Sequence, residues 1–444
     1  MKTQEFEQFV RNEIAEKREE GYDVAEIEAK FLRSKRKTDY QLKRLLKALE
    51  KCPWKDDFPY DEPSDLQEIR AKRLQKPPEI KRTFTDSELY DRIHGGWLGR
   101  CAGCLLGKAV EGQTKERIEE WLRIANAYPL NNYFPAIHKL PENPPEWLKM
   151  TDVKGASRKK GVLLGQISRM ARDDDVDYTI IGLHILENYG LNFTTANVGE
   201  TWLRLLPYWQ VFTAERVAYR NLVSDLVPPE TATHMNPYRE WIGAQIRADV
   251  WGYVTPGMPE LAAELGYRDA VLSHVKNGIY GEMFVSAMIS AAFTTSNVEE
   301  IIKIGLSEIP EKSRLAEAAR DVLAWSKKCS DWKAAWGKIM EKYGQYHNTH
   351  TINNAAMVLL GLLYGDSDFE RSITVSVMSG LDTDCNGATA GSIVGVLLGA
   401  QALPEKWIKP LNNQIESFVI GYNNSQISRL AERTCTIARK SLGG

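Results

Sequence analysis

Two short acidic runs constrain this chain most: Arg172-Asp173-Asp174-Asp175 and Leu381-Asp382-Thr383-Asp384-Cys385. They stand roughly two hundred residues apart, each where a turn runs into an apolar, helix-like stretch. Adjacent carboxylates repel one another by about 1 kcal/mol per close pair even in bulk water, and by more in a drier site. A chain that keeps them in apolar surroundings usually holds a cation there. Oxygen-only ligands point to a hard ion, Mg²⁺ or Mn²⁺ before Zn²⁺. The two runs are therefore expected to meet in the folded chain around one or two such ions. The plain alternative is a solvated acidic loop and a helix N-cap. Asp382 and Asp384, at i and i+2, cannot share a face inside a regular helix. They fit a loop or a first turn, where the helix dipole adds about 0.3–1 kcal/mol per carboxylate.

The texture around these runs is helical. Phe6, Phe9, Val10 and Ile14 recur at helical spacing. Asp23-Val24-Ala25-Glu26 reads as a capping box opening a second helix through Ile27, Phe31 and Leu32, and Leu42, Leu45, Leu46 and Leu49 suggest a third. Residues 53–65, with three prolines and no period, read as a linker. From Asp86 onward, apolar-periodic segments such as Ile180 to Leu186, Gly281 to Phe293, Asn354 to Leu363 and Gly391 to Ala402 alternate with short Gly/Asn/Asp breaks. No run of alternating strands interrupts them. The expectation is an all-α chain, with residues 1–80 a helical extension and linker and residues 81–444 the main domain. Residues 128–147 break the pattern with five prolines plus Tyr133, Phe134 and Trp147, as a lid or binding loop would, or a packed surface excursion.

A chain of 444 residues, 43% hydrophobic, can build a sizeable core. A net charge of −2 and a pI near 6.4 give no electrostatic case for nucleic acid or an anionic membrane as the main partner. The N-terminus carries no apolar signal segment, and the stretch Ile393 to Leu403 is too short to span a bilayer. Six cysteines without a framework spacing suit a reducing cytoplasm. Cys101 and Cys104 have Cys-x-x-Cys spacing but no partner pair, so small core residues are the better account. Gly95, Gly96, Gly99, Gly103 and Gly107 follow no strand and suit close approach of their helix to the metal ions rather than a dinucleotide fingerprint. His347 and His350 suit a satisfied polar cluster better than a ligand pair. Tyr280, in Asn277-Gly-Ile-Tyr-Gly281, is either turn chemistry or a cleft lining.

Three segments together resemble the ADP-ribosylglycohydrolase family. They are Asp91-Arg-Ile-His-Gly-Gly-Trp-Leu-Gly-Arg-Cys-Ala-Gly-Cys-Leu-Leu-Gly-Lys-Ala-Val-Glu111-Gly112, Asp173-Asp-Asp-Val-Asp-Tyr-Thr179, and Ser379-Gly-Leu-Asp-Thr-Asp-Cys-Asn-Gly-Ala-Thr-Ala-Gly-Ser-Ile-Val-Gly395. The resemblance runs from about residue 88 to about residue 405. It implies a compact orthogonal helical bundle with two Mg²⁺ ions (Mn²⁺ as the substitute) between the acidic turns, and hydrolysis of the bond joining ADP-ribose to a side chain or small acceptor. Asp174 and Asp175 match the paired ligand aspartates of that family, Asp382 and Asp384 the late ones, and Glu111 the glutamate that reaches the metals. Asp173 stands where a Thr or Ser ligand is usual, and Thr179 matches a threonine after the early turn. Cys385 and Cys104 depart from the pattern: the first stands where a Thr or Ser ligand is common, the second where many members have Asp. Gly243-Ala-Gln-Ile-Arg247-Ala-Asp249-Val-Trp-Gly252 and Ser273-His274 resemble further family segments, with Asp249 and Trp251 as changes.

These residues imply a cytoplasmic Mg²⁺-dependent glycosidase acting on a small or protein-linked ribosyl substrate, most naturally ADP-ribosyl. Asp173, Asp174, Asp175, Asp382 and Asp384 would ligate metal, and Glu111 and Asp175 would serve catalysis. Asp249, Tyr280, Gly281, Cys385 and Asn386 would face the substrate. Breaking a ribosyl bond needs a placed water on one face of the sugar and help for the leaving group on the other. Two alternatives are an N-ribosyl hydrolase of a smaller nucleoside-like compound and a crystallin-like structural or binding protein on the same scaffold. Five retained carboxylates argue against the latter.

Overall fold

The computed structural model describes residues 3–33, 37–74, 82–150 and 161–443. The expected boundary between residues 80 and 81 lies outside them. Among the described residues there are 22 α-helices and a single antiparallel ribbon, Gln414–Glu416 against Asn424–Gln426, so the fold is all-α.

The first three helices are α1 (Thr3–Glu19), α2 (Ala25–Arg33) and α3 (Asp39–Leu49). Their apolar stripes meet in a small core of their own, built on Phe6, Phe9, Val10, Ile14, Ile27, Phe31, Leu42 and Leu49. Leu32, assigned to the α2 stripe from the sequence, instead stands 64% exposed. Asp23 accepts from the Ala25 amide at α2. A reciprocal capping box forms at α3, where Thr38 and Gln41 satisfy each other's backbone donors. The proline-rich stretch that follows is irregular but docked. The Asp61 amide donates to the Lys312 carbonyl at 3.0 Å, and Glu62 receives Arg314.

The main body is organised around two long helices, α4 (Asp86–Lys108) and the late helix Thr383–Leu398, which run antiparallel in backbone contact. Glycines four residues apart make this possible. A Cβ on Gly95, Gly99, Gly103 or Gly107 would lie 1.9–2.2 Å from the carbonyl oxygen of Gly395, Gly391, Gly387 or Thr383 respectively. No side chain fits such a gap, so the sequence period fixes both the register and the partner. At one end of the pair the Thr383 hydroxyl donates to the Gly107 carbonyl at 2.8 Å. At the other, Arg92 caps the Val396 and Leu397 carbonyls at 3.2 and 3.1 Å. The ladder thus brings the turn after Lys108 against the turn before Thr383.

Around this pair pack α5 (Asp174–Tyr189), α6 (Lys276–Ala292) and α7 (Thr351–Gly365), and the late helix is α8 (Thr383–Leu398). The segment 128–147 is a packed excursion for half its length. Tyr133 and Phe134 are buried, and the Tyr133 hydroxyl donates to the Trp407 carbonyl at 2.6 Å. Its longest exposed run is 138–143. No helix among the described residues is long and apolar enough to cross a membrane.

Candidate functional site

Both acidic turns sit at helix N-termini, and the chain folds them there for local reasons. Asp173 is the N-cap of α5, its Oδ1 accepting the Asp175 amide at 3.1 Å. Before α8, Gly380 and Leu381 both take positive φ, 78° and 66°. Glycine adopts that conformation freely, whereas a bulky residue there is strained by about 1–3 kcal/mol. The strained turn is held by two bonds. The Gly112 amide donates to the Leu381 carbonyl at 3.2 Å, and the Asp382 amide donates to Asn354 Oδ1 at 3.1 Å. The first of these fastens the Glu111 turn to the Asp382 turn.

The two runs meet. Ligand atoms of Asp175, Asp384 and Cys385 lie within 4.8 Å of one another, as do those of Glu111, Asp382 and Asp384, and those of Cys104, Asp173 and Asp175. Asp175 and Asp384 each belong to two of these groups and join them into one cluster. Asp174 belongs to none of the three among the described residues; its nearest cation is Arg172, at 4.0 Å. Glu111 is exposed while the aspartates it faces are buried.

Charge is poorly balanced here. Burial, followed by the facing Glu111 and Asp382, pushes the Asp384 carboxyl well above its usual range. Burial and then Asp173 do the same to Asp175, and they raise Asp174 to about 8. Burial raises Asp382 as well. Asp173 alone is held low: burial would raise it, but the Lys108 ammonium bonded to its Oδ2 overcomes that. Asp175 Oδ1 is buried and accepts no hydrogen bond, its nearest cation being Arg100 at 3.7 Å. Cys385 Sγ lies 3.4 Å from Asp175 Oδ2, and its thiol is pushed up first by burial and then by Asp175. Oxygen-rich, buried and short of cations, the donor set fits a divalent ion.

Four of the residues expected to face the substrate are packed instead. Asp249 is fully buried and paired with Arg100 Nη1 at 2.6 Å. Tyr280 is buried and its hydroxyl donates to the Pro63 carbonyl, so its partner is the docked linker rather than a ligand. A Cβ on Gly281 would lie 2.5 Å from Thr351 Cγ2, which is why a glycine stands there. Asn386 is buried, its amide donating to Asn354 Oδ1 at 2.8 Å. Cys385, by contrast, is part of the acidic cluster. The histidines are structural: His350 caps α7 through Nδ1, and His347 stacks on Trp241.

Three residues of the site, Arg100, Asn354 and Lys108, were not singled out from the sequence, and Cys104 was noted there only as a departure from the family pattern. Arg100 donates Nε to the Asp175 carbonyl at 3.0 Å and so anchors the start of α5. Asn354 holds Asp382 and Asn386 together. Cys104 and Lys108 face Asp173 from the last turns of α4. The available signal was their four-residue spacing, which puts both on one helix face.

The sequence matches no curated protein. Among solved structures, one described as an ADP-ribosylglycohydrolase-related protein complex is similar at 18% identity. The likeness covers 80% of this chain and 99% of that one, with a TM-score of 0.48. The family model for ADP-ribosylglycohydrolase matches residues 85–441, and the chain belongs to that family.

Proposed function

We propose that this chain is a Mg²⁺-dependent glycohydrolase that cleaves a ribosyl bond, ADP-ribosyl in the first place. The observation that carries the proposal is the meeting of Glu111 with Asp382 and Asp384, and of Asp384 with Asp175, across roughly two hundred residues of sequence. Membership of a glycohydrolase family supports hydrolysis as the reaction. Asp175, Asp382 and Asp384, with Asp173 and Asp174 beside them, would hold the metal. Bound there, a divalent ion would chelate the vicinal hydroxyls of a ribose and make a bound water more acidic. Glu111, exposed at the mouth of the cluster, orients a water and accepts its proton as the oxygen adds to the anomeric carbon. The bond to the leaving group breaks and that group takes up a proton. Arg100 and Asn354 position the two turns through backbone bonds.

The location of Asp249 bears on the substrate. A carboxylate facing a diphosphate would repel it, but Asp249 is paired with Arg100 and has no accessible surface. The motive for preferring a smaller, uncharged or cationic riboside is thereby removed. We also assign residues 1–80 to a helical extension and linker and 81–444 to the catalytic body; the separate apolar core of the first three helices supports the division, while Ile69 of the linker packs into the core of the body. The test is incubation with Mg²⁺ and ADP-ribosyl-arginine, ADP-ribosyl-serine and a panel of nucleosides. Release of ADP-ribose is expected. Ribose released from a nucleoside, with both ADP-ribosyl compounds untouched, would overturn the substrate assignment.

A further inference from the structure

We infer that Lys108 supplies one of the cations of this cluster from the chain itself, so that the acidic turns take a single divalent ion, held on the side of Glu111, Asp382 and Asp384. The inference rests on the metal-dependent function proposed above.

The two sides of the cluster differ in chemistry. On the Asp173 side, both oxygens of that carboxylate are engaged: Oδ1 by the Asp175 amide at 3.1 Å and Oδ2 by the Lys108 ammonium. The third donor there is the Cys104 sulfur, fully buried. A neutral thiol is a poor ligand for a hard ion. Cys104 and Lys108 are one turn apart on α4 and share a face, so the same helix surface withholds an oxygen donor and presents a positive charge. The lysine side chain is only 23% exposed, and Asp384 as well as Asp173 acts on its charge. The ammonium bonds the early turn, and its end of α4 is fastened to the late turn by the Thr383 hydroxyl on the Gly107 carbonyl at 2.8 Å, so a second divalent ion at Asp173 would have to meet it at close range.

On the other side every donor is a carboxylate oxygen. Two ligands of one hard cation, each bonded at about 2.0–2.6 Å, lie at most about 5 Å apart. Glu111, Asp382 and Asp384 meet that condition within 4.8 Å. Neither Asp382 nor Asp384 forms an ion pair with a lysine or arginine among the described residues, whereas Asp173 does. Asp175 Oδ1, buried and accepting no hydrogen bond, is the additional oxygen within reach of the cluster. A built-in ammonium and one divalent ion together neutralise more of the charge than either alone, without forcing two divalent ions against a lysine.

The experiment counts ions on the full chain. Mn²⁺ is titrated into metal-free protein, followed by calorimetry and by electron paramagnetic resonance. One Mn²⁺ per chain with the spectrum of an isolated ion is expected, and a folded Lys108→Met chain should take a second that couples magnetically to the first. Lys108→Arg should keep the count at one. If the Met variant does not fold, Lys108→Gln replaces it. Two coupled ions in the unaltered chain overturn the inference and leave the metal-dependent function standing. A count that stays at one in folded Lys108→Met and Lys108→Gln chains also overturns it. No Mn²⁺ bound by any of the chains removes the metal-dependent function, and this inference with it.

Discussion

At the acidic turns, ligand atoms of Asp175, Asp384 and Cys385 crowd within 4.8 Å; where the N-terminal helices dock on the body, those of Glu16, Glu20 and Glu240 do the same. Distance does not separate the two clusters, and burial does not either, since the acids of both are largely withdrawn from water. The neutralising groups do. At the docking surface Arg239 grips Glu20 with two nitrogens at 3.1 and 2.7 Å and Glu13 with a third at 2.9 Å. Arg314 bonds both Glu62 and Glu240. Such forked guanidinium bonds match the geometry of carboxylates and satisfy them in place. His350 lies among the same acids, its ligand atom within 4.8 Å of those of Glu16 and Glu19. Its Nδ1 accepts the Ile352 amide, so the neutral ring carries its proton on Nε2, which faces Glu19 at 3.7 Å and Glu240 at 3.8 Å. At the acidic turns Lys108 bonds Asp173, Arg100 and Arg172 only approach Asp175 and Asp174, at 3.7 and 4.0 Å, and Asp382 and Asp384 pair with no lysine or arginine among the described residues. Glu16 is the exception at the docking surface, its Oε1 buried without a hydrogen bond and 3.9 Å from Arg239; the acids gripped by forked guanidinium groups form a clamp, and the less neutralised acidic turns a candidate site.

The largest effects should separate the two clusters cleanly. Glu111→Gln should slow turnover by roughly 10²–10⁴, the usual worth of general acid–base assistance, and leave the urea unfolding midpoint where it was. Turnover close to the unaltered rate would make Glu111 a structural residue. Arg314→Met should do the reverse. It leaves Glu62 and Glu240 buried without their cation and should destabilise the chain by about 3–5 kcal/mol, while the folded fraction keeps its kcat. A loss of kcat in folded Arg314→Met would mean that the two clusters are coupled.

Mg²⁺ should act on one cluster only. A ligand that binds the folded state alone stabilises it by about 2.7 kcal/mol at one hundred times its Kd. Removing Mg²⁺ with EDTA should therefore lower the Tm of the unaltered chain and of Arg314→Met by similar increments. Asp384→Asn should lose most of that increment. An EDTA shift that disappears in Arg314→Met but survives in Asp384→Asn would place the ion at the wrong cluster.

The parts legible in the sequence are those with a period. Amphipathic spacing gave α1 to α3, and the residues it marked, such as Phe9, Val10 and Leu42, are the buried ones; Leu32, next after Phe31, turns about 100° away from the stripe of Ile27 and Phe31. The meeting of the acidic turns was expected from their charge together with the family resemblance. The glycines of α4 were recognisable as a close-approach surface, but their partner emerges only when Gly387, Gly391 and Gly395 are set against them at the same four-residue step. Substrate-facing residues were not legible. Asp249 and Tyr280 are polar groups whose partners, Arg100 and the Pro63 carbonyl, lie far away in sequence, and nothing local says which way a side chain turns. Lys108 escaped notice for the opposite reason: a lysine in the last turn of a helix is ordinary helix-dipole chemistry until Asp173 is placed opposite it.

The last predicted effect is a slope with pH, and Glu20, gripped by a guanidinium group, differs in it from Asp174. Glu20 is held down to about 2: burial would raise it, but Arg239 and Lys276 overcome that. Its contribution is present above the ordinary glutamate pKa and is lost only as pH falls toward 2, so between pH 5 and 8 it is flat. Asp174 is raised to about 8, by burial and then by Asp173. Without metal the folded chain keeps that proton after the unfolded chain has released it near pH 4. Stability should then fall as pH rises from about 4 to about 8, by at most about 1.4 kcal/mol per pH unit for a full proton. Glu19 and Glu240, both raised to about 7, slope the same way, but they are present in every variant and cancel in a difference. The measurement is urea unfolding of metal-free unaltered and Asp174→Asn chains at several pH values. The difference between them should favour Asp174→Asn and grow toward pH 8. Saturating Mg²⁺ should abolish that growth if Asp174 faces the ion, because ligation requires the ionised carboxylate in the folded state too. A difference that is flat with pH in metal-free protein would show that Asp174 is solvated. The early turn would then contribute through Asp173 and Asp175 alone.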